Sequence, residues 1–373
     1  MINRRAFFLG LAALVVAPAA LVSSAALAAP TEKKKSKAKP KATASKTEKA
    51  KSDKKSDKKS EKKSEKKTEK KEEKSEEKPT TDDRTAKIKS IDAADIGTTF
   101  ELSLEHAPFG PGSRYSDDTV MVFVPKHYRL PGEKSVDFVV HFHGHNSAAK
   151  DVIGGQKLSD QVRESRQNAV LVVPQGPVNS SDSDFGALMK EGGLAKLLAE
   201  VRDVLSTKKA SGKLGDASIR GAKSTGKVVL TSHSGGYHGA VVNLTGSGCD
   251  VRETYFFDAL YDDVTLVKEW VVASPKKHKV VSYYIGGKTE TQSLVLYEAL
   301  SSAGIKVYRE KDGDKVTRSQ LTKGRGLFLS GAGVPHYNAC TDEHPLRECL
   351  RASCLKGVGT SSWASKKNSP RET

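Results

Sequence analysis

Apolar runs alternate with helix-like segments along the chain from residue 85 onward. The runs are rich in β-branched and aromatic residues, which favour strands. They predict strands at residues 100–105, 119–125, 136–142, 169–174, 228–232, 254–257, 279–285 and 306–309. The segments between them predict helices at residues 149–167, 186–206, 237–244 and 293–302. This alternation predicts an α/β domain over residues 85–373, with a mostly parallel central sheet flanked by helices.

The N-terminal segment has a different pattern. A basic start with Arg4 and Arg5 precedes an apolar run, and small residues follow up to Ala28. This arrangement predicts a signal peptide over residues 1–29, and therefore export to the periplasm or beyond. A retained membrane anchor is the alternative, because the apolar run approaches the length that spans a bilayer. The paired arginines also resemble a twin-arginine export signal.

Residues 30–84 form a low-complexity segment of Lys, Glu and Ser, with five consecutive tetrapeptides of the SDKK type at residues 52–71. Such a segment has too few apolar residues for a core, so we predict a disordered tether. The net charge is +17, of which residues 31–84 carry +9 and residues 85–373 only +6. The high charge therefore does not indicate specific nucleic-acid binding. Weak electrostatic contact of the tether with anionic envelope polymers is a possible function, and a solvated spacer is the simpler interpretation.

The four cysteines, Cys249, Cys340, Cys349 and Cys354, are an even number in an exported chain. Export permits disulfides, so one or two are expected, although the sequence does not choose among the three full pairings. A zinc site is less favoured because the chain lacks a C-x-x-C pair.

The strongest chemical signal is the segment VVLTSHSGGYHGA at residues 228–240, where an apolar strand enters a Gly-rich turn and then a helix. This segment resembles the nucleophile elbow of the α/β-hydrolase family, a G-x-S-x-G turn between a strand and a helix. Ser232 stands at the first glycine position and Gly236 at the last. The resemblance implies an α/β-hydrolase fold with Ser234 as the nucleophile. A serine hydroxyl also needs a neighbouring base to become reactive.

The family's partners follow in the order Ser, acid, His. His336, in the Gly/Pro-rich GAGVPHYNAC loop near the end of the chain, is the predicted general base. Two carboxylates are candidates for the acid. Asp258 directly follows an apolar strand, where a buried carboxylate could orient the imidazole, whereas Glu290 follows the next strand in a polar turn. We favour Asp258 and keep Glu290 as the alternative.

An oxyanion hole needs two backbone N–H groups. The resemblance implies that one belongs to Gly235, directly after the nucleophile. The other is expected in the His143-Gly144 loop after an early strand, which resembles the family's H-G loop. Gly144 would allow the close turn, and the N–H of His145 or Asn146 would then face the site.

These residues predict an exported serine hydrolase that uses a Ser-His-Asp triad and needs no metal or organic cofactor. The layout is similar to that of secreted esterases and lipases, including the polyhydroxybutyrate-depolymerase and feruloyl-esterase groups. That likeness implies a small-molecule or polymeric carboxylic ester as substrate. Fold-level resemblance does not identify which ester, and the oligomeric state stays open.

Two other interpretations are weighed against this one. His141, His143 and His145 alternate, so on a continuing strand they would face one side, as in a metal-dependent hydrolase. Such metal sites usually add further carboxylates or histidines nearby, and none follows here in a recognisable spacing. The second alternative is a non-catalytic protein that binds an envelope polymer on a hydrolase scaffold.

Overall fold

A computed structural model describes residues 81–178 and 183–359 of the chain. The predicted signal peptide and residues 30–80 of the predicted tether lie outside the described residues. The last four residues of that tether, 81–84, belong to helix α1 (Thr81–Ala86). All described residues belong to one compact unit.

Ten strands form one sheet in the described part of the chain. They are β1 (Ile88–Ala94), β2 (Gly97–Ser103), β3 (Thr119–Pro125), β4 (Ser135–Phe142), β5 (Val170–Pro174), β6 (Ser224–His233), β7 (Asp250–Phe257), β8 (Lys279–Tyr284), β9 (Val307–Arg309) and β10 (Gly326–Ser330). Their order across the sheet is β1-β2-β3-β5-β4-β6-β7-β8-β10-β9. The pairings β1 to β2, β2 to β3 and β3 to β5 are antiparallel, and the others are parallel. This sheet confirms the predicted class.

Helices connect most of the parallel strands. After α1 they are α2 (Ala149–Gly155), α3 (Leu158–Ser165), α4 (Gly193–Leu205), α5 (Lys208–Leu214), α6 (Tyr237–Gly246), α7 (Val264–Ala273), α8 (Gly287–Ser302), α9 (Arg318–Lys323) and α10 (Pro345–Arg351). Within residues 81–178 and 183–359, none of these helices is long and apolar enough to cross a membrane.

The central strands are buried on both faces. Val139 and Val140 are adjacent in β4, yet each belongs to a different hydrophobic cluster, one on either side of the sheet. Successive strand residues point to opposite faces, so an uninterrupted apolar run is what such a strand requires. The helices therefore cover both faces, and the carboxyl ends of the parallel strands remain as the edge where loops can form a site.

Two predicted helices are interrupted where the backbone becomes left-handed. The predicted helix 149–167 divides into α2 and α3, because Lys157 between them has a φ of 52°. The predicted helix 186–206 begins with a separate 3₁₀ turn, Gly186–Met189, and α4 starts only after Gly192, whose φ is 69°. A residue in this conformation cannot continue a right-handed helix.

The expected disulfides are not formed. Cys249, Cys340, Cys349 and Cys354 all lie in the described residues, and no disulfide joins any two of them. Burial raises the pKa of Cys249 to about 11 and that of Cys354 to about 12. A thiol of this kind is a poor nucleophile at neutral pH, so these cysteines act as small apolar residues of the fold.

Candidate active site

The turn after β6 holds Ser234 in a strained conformation. Its φ is 52°, and it opens the 3₁₀ turn Ser234–Gly236, which leads into α6. Glycine is required at the end of this turn, because a Cβ on Gly236 would lie 2.1 Å from the carbonyl oxygen of Phe142. Ser232, at the first glycine position, is fully buried. A non-glycine residue with positive φ at a strand-to-helix turn is the backbone geometry of a nucleophile elbow.

The H-G loop lies directly against this turn. A Cβ on Gly144 would come within 2.7 Å of the Ser234 Cβ and 3.3 Å of its Oγ, so the loop can approach the serine only with glycine there. The amide nitrogen of His145 lies 3.9 Å from the position that a Cβ on Gly235 would take. The N–H of Asn146 instead donates a 2.6 Å hydrogen bond to the carbonyl oxygen of Val178. Of the two amides considered, His145 therefore suits an oxyanion hole better.

The structure brings together His336 and Asp258. His336 Nδ1 lies 2.6 Å from Asp258 Oδ2, although the two residues are 78 positions apart. Asp258 is the first residue after β7, and its own N–H donates to the carbonyl oxygen of Tyr283 at the end of β8. His336 begins a short 3₁₀ turn after β10, and its side chain is 33% exposed. A buried carboxylate thus holds a partly accessible imidazole at the carboxyl edge of the sheet.

Asp258 is also held at its other oxygen. Oδ1 accepts hydrogen bonds from the Thr289 hydroxyl and from the Ile285 N–H, the latter at 3.3 Å. Burial raises the pKa of Asp258, but the hydrogen bonds from His336, Thr289 and Ile285 together outweigh this effect, and the pKa is lowered. The carboxylate is therefore ionised at neutral pH and accepts a hydrogen bond from the Nδ1–H of His336.

Glu290, the alternative acid, lies in the first turn of α8 and not in the polar turn expected. The helix dipole stabilises a carboxylate in the first turn, so the presence of Glu290 there is explained without a catalytic role. It lines a cavity with Tyr284 and Arg309, whereas His336 Nδ1 is paired with Asp258.

The three alternating histidines do not share a face. β4 ends at Phe142, so His141 and His143 are buried while His145 is exposed. His143 Nδ1–H donates to the Gly144 carbonyl at 2.9 Å, and its Nε2 accepts the Gly176 N–H at 2.8 Å. Both ring nitrogens are thus used within the protein. In the described ranges no group of three or more His, Cys, Asp or Glu residues could hold a metal ion, so the metal alternative gains no support.

Sequence reasoning missed two side chains at the site. His233 packs its ring against that of His336, with centroids 4.7 Å apart, and its Nε2 lies 2.9 Å from the His336 carbonyl oxygen. Tyr261 follows Asp258 by three residues, and a hydrogen bond between its hydroxyl and Ser234 partly offsets the rise in its pKa caused by burial. In the sequence, only the position of His233 directly before Ser234 and that of Tyr261 three residues after Asp258 could have indicated them.

Known proteins resemble this chain in structure only. No family model and no curated protein matches it. A ferulic acid esterase shares 12% identity with a TM-score of 0.44, over 68% of this chain and 96% of that one. An S-formylglutathione hydrolase from Agrobacterium tumefaciens shares 13% identity with a TM-score of 0.41, over 71% of this chain and 99% of that one. An acetyl xylan esterase from Aspergillus awamori shares 11% identity with a TM-score of 0.41, over 68% of this chain and 99% of that one. Such distant likeness carries no argument about chemistry, and the α/β-hydrolase fold is assigned from the sheet and elbow of this chain.

Proposed function

We propose that this protein is a serine hydrolase that cleaves carboxylic esters through Ser234, His336 and Asp258. The observation that carries the proposal is the convergence of a left-handed Ser234 and a His336–Asp258 pair at one edge of the sheet. His233 connects them, because it is bonded to Ser234 in the chain and stacked on the His336 ring. The residue types and their order along the chain are those of an acyl-transfer site.

In the first half of the reaction, Asp258 keeps the proton of His336 on Nδ1, so Nε2 is free to act as a base. His336 takes the Ser234 hydroxyl proton as Oγ attacks the ester carbonyl carbon. The N–H groups of Gly235 and His145 stabilise the negative charge that develops on the carbonyl oxygen. The tetrahedral intermediate then collapses, the C–O bond to the alcohol breaks, and His336 gives its proton to that alcohol.

In the second half, His336 removes a proton from water as the water oxygen attacks the acyl-enzyme. The new tetrahedral intermediate releases the carboxylic acid, and the proton on His336 returns to Ser234 Oγ. An ester is the proposed substrate because an alcohol leaves more readily than an amine. The side chain of His336 is 33% exposed, which leaves the proposed base accessible to a substrate.

The test is labelling of the full chain by a fluorescent fluorophosphonate, which reacts covalently with activated serines. We expect the wild type to be labelled, and both Ser234→Ala and His336→Ala to lose the label while keeping the wild-type circular dichroism spectrum. A panel of p-nitrophenyl esters then measures turnover with and without a chelator. A folded wild type that is neither labelled nor active would refute the proposal, and chelator-sensitive turnover without labelling would favour a metal hydrolase.

We also propose that the chain is exported and that its Lys-rich segment supplies weak attraction to anionic envelope polymers. The support is the composition of residues 1–84, with a basic start, an apolar run and the charged repeats. Cell fractionation of the full chain, compared with a variant carrying Arg4→Lys and Arg5→Lys, tests export and its twin-arginine route. Retention of the wild type in the cytoplasm would exclude both.

A further inference from the structure

His233 occupies the space between the nucleophile turn and the histidine turn. It is the last residue of β6, directly before Ser234, and it is only 6% exposed. Its ring stacks on the His336 ring with an interplanar angle of 30°, and its Nε2 reaches the His336 carbonyl oxygen. The contact joins residues 103 positions apart, so it bridges the two segments that carry the proposed chemistry.

The hydrogen bonds of His233 define its tautomer. A carbonyl oxygen only accepts, so the proton of the neutral ring must lie on Nε2. The lone pair of Nδ1 then accepts from the Gln156 side-chain amide, whose Nε2 is 3.3 Å away. Burial lowers the pKa of His233 to about 4, so the ring is neutral at physiological pH and adds no positive charge beside His336.

The His336 ring is held on two sides, and the ring of the adjacent, largely exposed Tyr337 lies 6.2 Å away. Asp258 holds its Nδ1 edge, His233 covers one face, and one-third of the side chain is accessible. A single hydrogen bond leaves an imidazole free to swing about the bond axis, whereas a second contact on the ring face restricts that motion. The hydrogen bond to the His336 carbonyl also fixes the backbone from which the ring projects.

We propose that His233 is a positioning residue that holds the general base His336 in its reactive orientation, by stacking on its ring and donating a hydrogen bond to its main-chain carbonyl. This inference rests on the proposed function, because it concerns the orientation of the same base. His233 itself exchanges no proton with the substrate. Its loss should slow the attack of Ser234 without weakening ester binding, since misplacement of a reacting group by about 1 Å can cost 10²-fold in rate.

The experiment compares His233→Phe with a matched control, His278→Phe. His278 makes the same two kinds of contact elsewhere: it stacks on Trp270 at 4.1 Å, and its Nδ1 lies 2.6 Å from the Trp270 carbonyl oxygen. Phenylalanine keeps a stacking ring and removes the hydrogen bonds. We expect the fluorophosphonate labelling rate and kcat to fall roughly 10- to 100-fold in His233→Phe, with KM unchanged, and to stay at wild-type values in His278→Phe.

A conservative variant tests the hydrogen bond separately. His233→Gln has a flexible amide N–H that can reach the His336 carbonyl but has no ring, so its rates should lie between those of His233→Ala and the wild type. The NMR signal of the proton between His336 Nδ1 and Asp258, identified by its loss in His336→Ala, should broaden in His233→Ala. A role in folding alone would change the unfolding temperature and leave this signal intact.

The outcomes separate the two proposals. Absence of labelling in the folded wild type would refute the proposed function itself. Labelling and turnover of both His233→Phe and His233→Ala at the wild-type rate, beside a reactive wild type, would refute only the positioning role. If the His233 variants do not fold, the tautomer can be measured on the wild type by ¹⁵N NMR. A charged ring, or a proton on Nδ1 of His233, would also overturn the inference.

Discussion

Replacement of Asp258 by asparagine tests the orientation of the proposed base with almost no change in shape. Oδ1 of Asp258 already accepts from the Thr289 hydroxyl and the Ile285 N–H. Asparagine must keep its oxygen there, because these two donors need an acceptor. Its NH₂ group then faces His336 Nδ1, so that nitrogen has to become an acceptor and the ring proton moves to Nε2. In this tautomer His336 cannot take the proton of Ser234.

The expected loss is large because the wrong tautomer removes general-base catalysis entirely. In triads of this type the same substitution lowers kcat by roughly 10⁴-fold, which corresponds to about 5.5 kcal/mol of transition-state stabilisation. The hydrogen bonds of the carboxylate are replaced one for one by those of the amide. We therefore expect the unfolding temperature of Asp258→Asn to change by only a few degrees.

The assay is the rate of p-nitrophenyl acetate hydrolysis together with fluorophosphonate labelling, with Glu290→Gln as the matched control. The control makes the same carboxylate-to-amide change at the alternative acid, and we expect it to keep the wild-type rate. A nearly active Asp258→Asn would contradict the proposed role of the carboxylate. A pronounced loss in Glu290→Gln alone would show that Glu290 is the acid and that the Asp258 contact is incidental.

Two further predictions concern the H-G loop and the effect of pH. Gly144→Ala should lower the labelling rate at least roughly 100-fold, because its Cβ would lie 2.7 Å from the Ser234 Cβ, whereas Gly154→Ala, where a Cβ meets no atom within 4 Å, should leave it unchanged. The pKa of His233 is lowered to about 4 in the folded state, so the unfolded chain binds this proton first as the pH falls. Stability should therefore decrease between about pH 6.5 and pH 4, by about 3 kcal/mol from this residue, and thermal unfolding of His233→Phe should show a weaker pH dependence. Equal rates for the two alanine variants, or parallel pH curves, would contradict these predictions.

Eight of the ten strands that the structure describes could be predicted from their apolar or β-branched runs. The predicted strand 119–125 coincides with β3, and each other predicted strand overlaps an observed one. Burial on both faces demands apolar side chains at every position, which produces runs that stand out from the helices. The strands β1 and β10 were not predicted. β1 is an edge strand with mostly exposed residues, and β10 is a five-residue run between glycine and polar positions. Neither has an alternation long enough to indicate a strand.

The Ser234 turn could be read from the sequence because its constraints are local. Gly236 and Ser234 lie in one short segment, and the close approach to β4 requires glycine at a fixed offset. The contact between His336 and Asp258 spans 78 residues, and the sequence could only rank Asp258 above Glu290. Whether a carboxylate faces an imidazole depends on the packing of β7, β8 and β10, which no short motif encodes.

The histidines around the site show why residue type alone misleads. His141, His143 and His145 suggested a metal site. Both ring nitrogens of His143, however, form hydrogen bonds to the backbone of the loops that follow β4 and β5. His233 also uses both ring nitrogens, Nδ1 for the Gln156 side-chain amide and Nε2 for the His336 carbonyl oxygen. Burial lowers the pKa of His143 and His233, which keeps both rings neutral, and a neutral imidazole offers one donor and one acceptor. Such a ring can join two segments of the chain without burying a charge, so His143 and His233 can support the proposed site while His336 moves protons in the proposed reaction.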